Sequence, residues 1–136
     1  MQTEVIEIRT GDHEAVVALD REIDRFLAAA DARAGLLCVW VPHATAGLGV
    51  IETGGDFDED LLAALRDLLP AHEKWRHRHG SAGHGRDHVL PALISPSLAV
   101  PVLDGRPALG TWQSVCLVDT NRDNPVRTVR LSFLAG

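Results

Sequence analysis

Gly35-Leu36-Leu37-Cys38-Val39-Trp40-Val41-Pro42-His43 is the stretch on which the fold turns. The apolar side chains of residues 36–41 run on without alternating, which predicts a central strand buried on both faces. Gly35 opens the strand, and Pro42, with no amide hydrogen to give a neighbour, ends it. His43 stands directly beyond, at the head of His43-Ala44-Thr45-Ala46-Gly47.

Upstream, residues 3–9 are β-branched and partly alternating, a strand stopped by Gly11-Asp12. Asp12 is placed to cap a helix, and Val16, Leu19, Ile23, Phe26, Leu27 and Ala30 follow at the three- and four-residue intervals of one helix face. Downstream, the glycine-spaced segment 47–51 leads to an acidic patch, Glu52, Asp56, Asp58, Glu59 and Asp60. The patch introduces a second amphipathic helix through Leu61, Leu62, Leu65, Leu68 and Leu69, closed by Pro70; negative charge suits its first turn. Segment 72–85 lacks periodicity and reads as a loop, followed by a short helical piece over about 87–94 despite Pro91. Residues 98–103, 114–119 and 126–134 are strand candidates, the first two joined by a turn containing Asp104-Gly105. Strands and helices alternate too irregularly for a doubly wound sheet. A single compact α+β domain over residues 1–136 is expected, mostly antiparallel sheet with two main helices.

A chain of 136 residues, 46% apolar, suffices for one core. The formal charge of −6 argues against a general nucleic-acid binder, with Arg76, Arg78 and Arg86 the only local basic cluster. Cys38 and Cys116 stand in apolar runs without framework spacing, as buried thiols in a reducing compartment do. Neither a basic-then-apolar leader nor an apolar stretch approaching ~18 residues is present, so the expectation is a cytoplasmic protein without membrane contact.

Histidine carries the chemical signal. Five of seven, His72, His77, His79, His84 and His88, share one glycine-broken stretch. His77 and His79 fall on one face of an extended segment, and His84 and His88 on one face of a helix, so either pair suits chelation. His43, His77 and His88 each border an ordered element and are the first candidates for a metal held by imidazoles and a carboxylate; His72 and His79 read as exposed and dispensable. The plain alternative is a solvated loop. Glu52 follows an apolar strand and so is positioned as a general base or hard magnesium ligand, whereas Asp56, Asp58 and Asp60 read as a solvated helix start. Gly47-Leu48-Gly49 is only a weak anion cradle. Gly110-Thr111-Trp112-Gln113 reads equally as a pocket wall or as a core tryptophan with a strand-capping amide. The apolar neighbours of both cysteines argue against a thiolate nucleophile.

His43-Ala44-Thr45-Ala46, Glu52, Trp75-Arg76-His77, His88, Ser95-Pro96-Ser97-Leu98, Val100-Pro101-Val102, Gly105-Arg106 and Leu109-Gly110-Thr111-Trp112-Gln113, in that order, resemble the YjbQ family, often labelled secondary thiamine-phosphate synthase. The resemblance covers nearly the whole chain. It implies a small sandwich-like α+β domain, a homotrimer with sites near subunit boundaries, and a weak transferase activity joining a pyrimidine pyrophosphate to a thiazole phosphate. Residue by residue, His43 matches the family's His-Thr-Ser-Ala histidine, Thr45 its hydroxyl position, Glu52 the glutamate of an Asn-Glu pair, His77 a Tyr-x-His histidine, His88 a later histidine, and Trp112 and Gln113 the Thr-Trp-Gln block. Ala44, Ile51 and His84 depart from the pattern. The match implies Glu52, His43 and Gln113 as catalytic, Thr45, Thr111 and Trp112 as substrate-binding, and His43, His77 and His88 as ligands of a divalent metal, zinc or magnesium. A small phosphorylated or anionic ligand is the expected partner. The competing readings are a non-catalytic trimeric module binding a metal or anion, and a metal-assisted hydrolase of another phosphorylated metabolite.

Overall fold

The computed structural model describes residues 1–72 and 75–136. In chain order, β1 (Gln2–Arg9) and β2 (Ala15–Ala18) precede α1 (Asp20–Ala29); β3 (Gly35–Trp40) and β4 (Ala46–Ile51) precede α2 (Asp56–Leu68), α3 (His84–Asp87) and α4 (Leu90–Leu93); β5 (Ser97–Leu103), β6 (Arg106–Pro107), β7 (Ser114–Asp119) and β8 (Val126–Ala135) complete the order. The strands form two antiparallel sheets, β1-β8-β3-β5-β6 and β2-β7-β4. This is the expected α+β domain.

Strand β3 is central in the larger sheet, but only one of its faces is buried. Leu37 and Val39 enter the core with Ile6, Ile8, Val100, Val102, Val129, Leu131 and Phe133, while Leu36 and Trp40 point outward, Trp40 44% exposed. The strand buried on both faces is β7. Its Val115 and Leu117 join the main core with α1, and Val118 meets Leu65, Leu69 and Leu90 in a second cluster beneath α2 and α4. The smaller sheet is thus the middle layer. Unbroken apolarity marks burial by helices in β7 and leaves an uncovered apolar face in β3.

The first helix starts later than its periodicity predicts. Residues 15–18 pair with β7, Val16 opposite Val118 and Val17 opposite Leu117, and the helix begins at Asp20 without a side-chain cap. β-branched residues beside an available strand edge settle as a strand. Asp12 caps nothing; it is exposed in the turn between β1 and β2. The Asp104-Gly105 turn joins β5 to β6 rather than to β7. Both residues have positive φ, 50° and 80°, which is the type I′ geometry of a two-residue hairpin.

At one end of the stacked sheets a fully buried guanidinium holds three segments together. Arg127 of β8 donates through Nε to Asp119 Oδ2 (2.6 Å) and through Nη2 to Asp119 Oδ1 (3.0 Å) and Thr45 Oγ1 (3.0 Å). Beside it, the Thr128 amide donates to His43 Nε2 at 2.9 Å, and Arg127 Nη1 lies 3.5 Å from His43 Nδ1. Burial, and then the Arg127 charge, hold the His43 imidazole below its ordinary value of 6.5 against an opposing pull from Asp119.

Two outcomes follow from this junction. Arg127→Met strands the Asp119 carboxylate in the core and should lower stability by about 3–5 kcal/mol in urea denaturation. Because folding depresses the His43 value, the unfolded chain takes up the proton first; the stability it contributes is complete above its unfolded value of 6.5 and is lost as pH falls through the folded value. The melting temperature should therefore fall between about pH 7.5 and about pH 5.5, and His43→Gln should flatten part of that fall.

Candidate metal centre

The histidine loop between α2 and α3 is anchored by buried charge. Arg86 of α3 donates through Nη1 to the Leu69 carbonyl at 3.0 Å and through Nη2 to Glu14. Arg66 of α2 donates through Nε to the other Glu14 oxygen at 2.6 Å. Burial pushes the Glu14 carboxyl up, but the two guanidiniums outweigh it and hold the group below its ordinary value. The Trp75 indole N–H donates to the Pro70 carbonyl at 2.7 Å. The loop then doubles back against α3, which requires a glycine: a Cβ on Gly85 would lie 2.5 Å from the His77 carbonyl and 2.8 Å from Trp75 Cβ.

This fold-back gathers four imidazoles. One ligand atom each from His77, His79 and His84 lies within 4.8 Å of the others. His88 Nε2 is 3.1 Å from His84 Nε2, and the His77 and His88 rings are 4.6 Å apart. Two nitrogens bound tetrahedrally at ~2.0–2.1 Å to one zinc ion sit roughly 3.3 Å apart, so the His84–His88 spacing fits a shared ion. Burial, and then the neighbouring imidazoles of His77, His84 and His79, hold His88 below its ordinary value of 6.5, which preserves its lone pair. An all-nitrogen donor set suits zinc and its late first-row neighbours; magnesium, which demands oxygen ligands, does not fit. A cavity of about 380 Å³ opens here, lined by His77, Arg78, His79, Ser81 and His84 among others.

The polar junction of the sheets reaches this centre. Asp119 Oδ1 also accepts the Asn121 amide at 2.9 Å, and Asn121 Nδ2 donates to Asp87 Oδ2 at 3.0 Å. Thr120 Oγ1 donates to Asp87 Oδ1 at 2.7 Å, and burial keeps the Asp87 carboxyl above its ordinary value despite these bonds. His84 Nδ1 contacts Asp123 Oδ2 at 2.6 Å.

Of the expected ligands, His77 and His88 come together and His43 does not join them in the same chain. The Thr128 amide occupies its Nε2 lone pair, and Arg127 places a positive charge at its other nitrogen. His79, which reads from sequence as dispensable, belongs to the cluster, and so does His84, one of the departures from the family pattern. Thr45 is buried and its hydroxyl is committed to Arg127.

Glu52, Thr111, Trp112 and Gln113 lie at the opposite end of the smaller sheet. Ala46 pairs with Asp119 while Ile51 pairs with Ser114, so Glu52 lies roughly 20 Å along the strand from the Asp119 junction. Glu52 is exposed and does not face the histidine cavity of its own chain. Trp112 is 75% exposed, so it is not core; Gln113 Oε1 accepts the Gly110 amide at 2.8 Å and caps its own turn. Asp58 is not freely solvated, since it accepts from Thr53 Oγ1 (2.7 Å) and the Gly54 amide (3.2 Å). Burial pushes the Cys116 thiol up to about 11, far from a thiolate. Asp87, Asn121 and Asp123 are the residues that sequence reasoning missed. Their signal was an Asp- and Asn-rich turn, residues 119–125, directly after a buried strand.

The family model described as "UPF0047 protein YjbQ-like" matches residues 4–136. The chain is 52% identical over 136 residues to the UPF0047 protein Rv2556c of Mycobacterium tuberculosis, covering 100% of both, and 30% identical over 112 residues to the UPF0047 protein YugU of Bacillus subtilis, covering 81% of this chain and 83% of the relative. The crystal structure of the hypothetical protein APE1520 from Aeropyrum pernix superposes with a TM-score of 0.90 at 31% identity, covering 100% of each chain. With the motif order, the two-sheet architecture and the match over nearly its full length in agreement, the chain belongs to the YjbQ-like UPF0047 family.

Proposed function

We propose that this protein is a metal-dependent enzyme acting on a small phosphorylated metabolite, with zinc held by His77, His79, His84 and His88. The observation that carries this reading is the convergence of four imidazoles beside an open cavity. A zinc ion bound there would neutralise charge developing on a phosphate or pyrophosphate oxygen. The chain's own groups do the remaining work: Arg78 at the cavity wall offers a charge to a phosphate, and His88, held below its ordinary value, keeps a lone pair for the ion.

The thiamine-phosphate-forming reaction is the transfer to try first, because it is what the family resemblance implies. Departure of pyrophosphate leaves a stabilised pyrimidine cation that the thiazole nitrogen attacks, so placement of the two rings is the main demand. Trp112 offers a stacking plane, but about a strand's length from the histidines, so a site using both is built from two chains. A homotrimer meets that requirement. The uncovered face of the larger sheet supports assembly, for Leu36 is flanked by Pro101 and Leu134, and Trp40 by Ser97 and Arg130. The hydrolase reading uses the histidine cavity alone.

Zinc supplied to metal-stripped protein should bind stoichiometrically by mass spectrometry, and His84→Gln should weaken binding by about 100-fold. Glu52→Gln should leave zinc affinity unchanged. Turnover of the pyrimidine pyrophosphate and thiazole phosphate pair, lost on chelation and restored by zinc, supports the transferase; release of inorganic phosphate from monoesters with no condensation product supports the hydrolase. Turnover undiminished after complete metal removal overturns both.

Light scattering should report three times the 14.7 kDa chain mass, and Trp40→Glu should reduce it. A stable wild-type monomer would remove the trimer.

A further inference from the structure

The contact between His84 and Asp123 contains more than proximity. Three groups surround His84 Nδ1: the Asp123 carboxylate at 2.6 Å, and the Asn121 side-chain nitrogen at 3.3 Å on the other side, with Gly80 beneath. An amide nitrogen is donor-only and an ionised carboxylate acceptor-only, so the two contacts demand opposite protonation states of Nδ1. The Asn121 orientation is independently fixed, because its Oδ1 accepts the Asp123 amide at 3.0 Å and its Nδ2 donates to Asp87 at 3.0 Å. Asn121 therefore has a partner for its hydrogen elsewhere, and the short contact to Asp123 decides the proton. Nδ1 carries it. The lone pair is left on Nε2, which faces His88 Nε2 at 3.1 Å.

Asp123 is itself held in place. Both its oxygens accept the Ser81 amide at 3.2 Å, and its own amide is bound by Asn121. Gly80 makes the approach sterically possible: a Cβ there would lie 2.6 Å from His84 Nδ1 and 2.7 Å from Asp123 Oδ2, at a φ of +78° that disfavours other residues.

We propose that Asp123 is the positioning residue of the metal centre: by accepting the Nδ1 hydrogen of His84 it fixes the tautomer whose Nε2 lone pair points into the histidine cluster, and so sets the affinity for zinc. The inference rests on the zinc reading given above. A carboxylate behind a ligating imidazole both orients the ring and raises its basicity, and loss of such a partner typically weakens metal binding 10- to 100-fold. In Asp123→Asn the amide can turn an N–H toward Nδ1 and favour the opposite tautomer.

The test reads the tautomer and the metal separately. Imidazole nitrogen NMR of zinc-free wild-type protein should show His84 protonated on Nδ1, and in Asp123→Asn that signal should move to Nε2. Competition with a chromophoric chelator should show zinc affinity falling 10- to 100-fold in Asp123→Asn and in Gly80→Ala, while the zinc-free melting temperature of Asp123→Asn stays near that of wild type. A wild-type His84 protonated on Nε2 overturns the proposal even if Asp123→Asn fails to fold. So does an Asp123→Asn protein that binds zinc as tightly as wild type. If wild-type protein binds no zinc while the tautomer still switches, Asp123 stands as the positioning residue of His84 and the zinc reading falls instead.

Discussion

A guanidinium with no water around it constrains this fold more than any apolar contact does. Arg127 is 1% exposed and Asp119 not exposed at all, so each would be costly alone. As a pair they add little net stability over an apolar replacement, but their geometry is demanding. The planar fork needs acceptors in fixed directions, and these come from the end of β7 and from the segment ahead of β4. The larger sheet contributes Arg127 and the smaller one Asp119, so the pair sets how the two sheets meet at one end. Asp119 spends a further lone pair on the Asn121 amide, which turns the chain after β7 toward α3. The position of the histidine centre follows from that turn.

Much of this architecture was legible because it depends on local patterns. The leucines of α2, the apolar block of β7 and the alternation within β8 match the observed elements to within a residue or two. Two features were not legible. Val16 fits a helical repeat, yet an open edge of β7 captured it with Val17, and no local signal reveals a free edge. The apolar run of β3 predicts cover on both faces, whereas only its Leu37 and Val39 side has it within the chain. An unbroken apolar run does not say which of its two faces the chain itself covers.

The site was half legible for a related reason. Short spacings such as His77/His79 and His84/His88 survive folding, because the loop and α3 hold neighbours together. Motif order carries no such guarantee. His43 precedes β4 and Glu52 follows it, so a six-residue extended segment separates two positions that a family pattern lists side by side. His43 is drawn to Thr128 and Arg127, more than 80 positions away, by contacts that no spacing rule encodes. Asp123 escaped notice because an acid in a polar turn is unremarkable until a buried imidazole is found against it.

The histidine cluster also breaks the consistency that the rest of the chain maintains. Four imidazoles packed ring against ring bury little apolar surface, help burial to lower the proton affinity of His88, and require glycines at positive φ in Gly80 and Gly83. Such local conflict persists when something outside the conflict compensates for it. Part of the compensation is structural: the Glu14 clamp on Arg66 and Arg86 secures both ends of the loop without using any histidine. That clamp holds the loop but leaves the ring contacts within the cluster as they are. On the zinc reading, coordination would take up lone pairs that otherwise face one another, and an ion bound only by the folded state would add its binding free energy to folding. Scaffold and centre are thus separable. Buried ion pairs supply the frame, and the histidine cluster is mounted on it without being part of it.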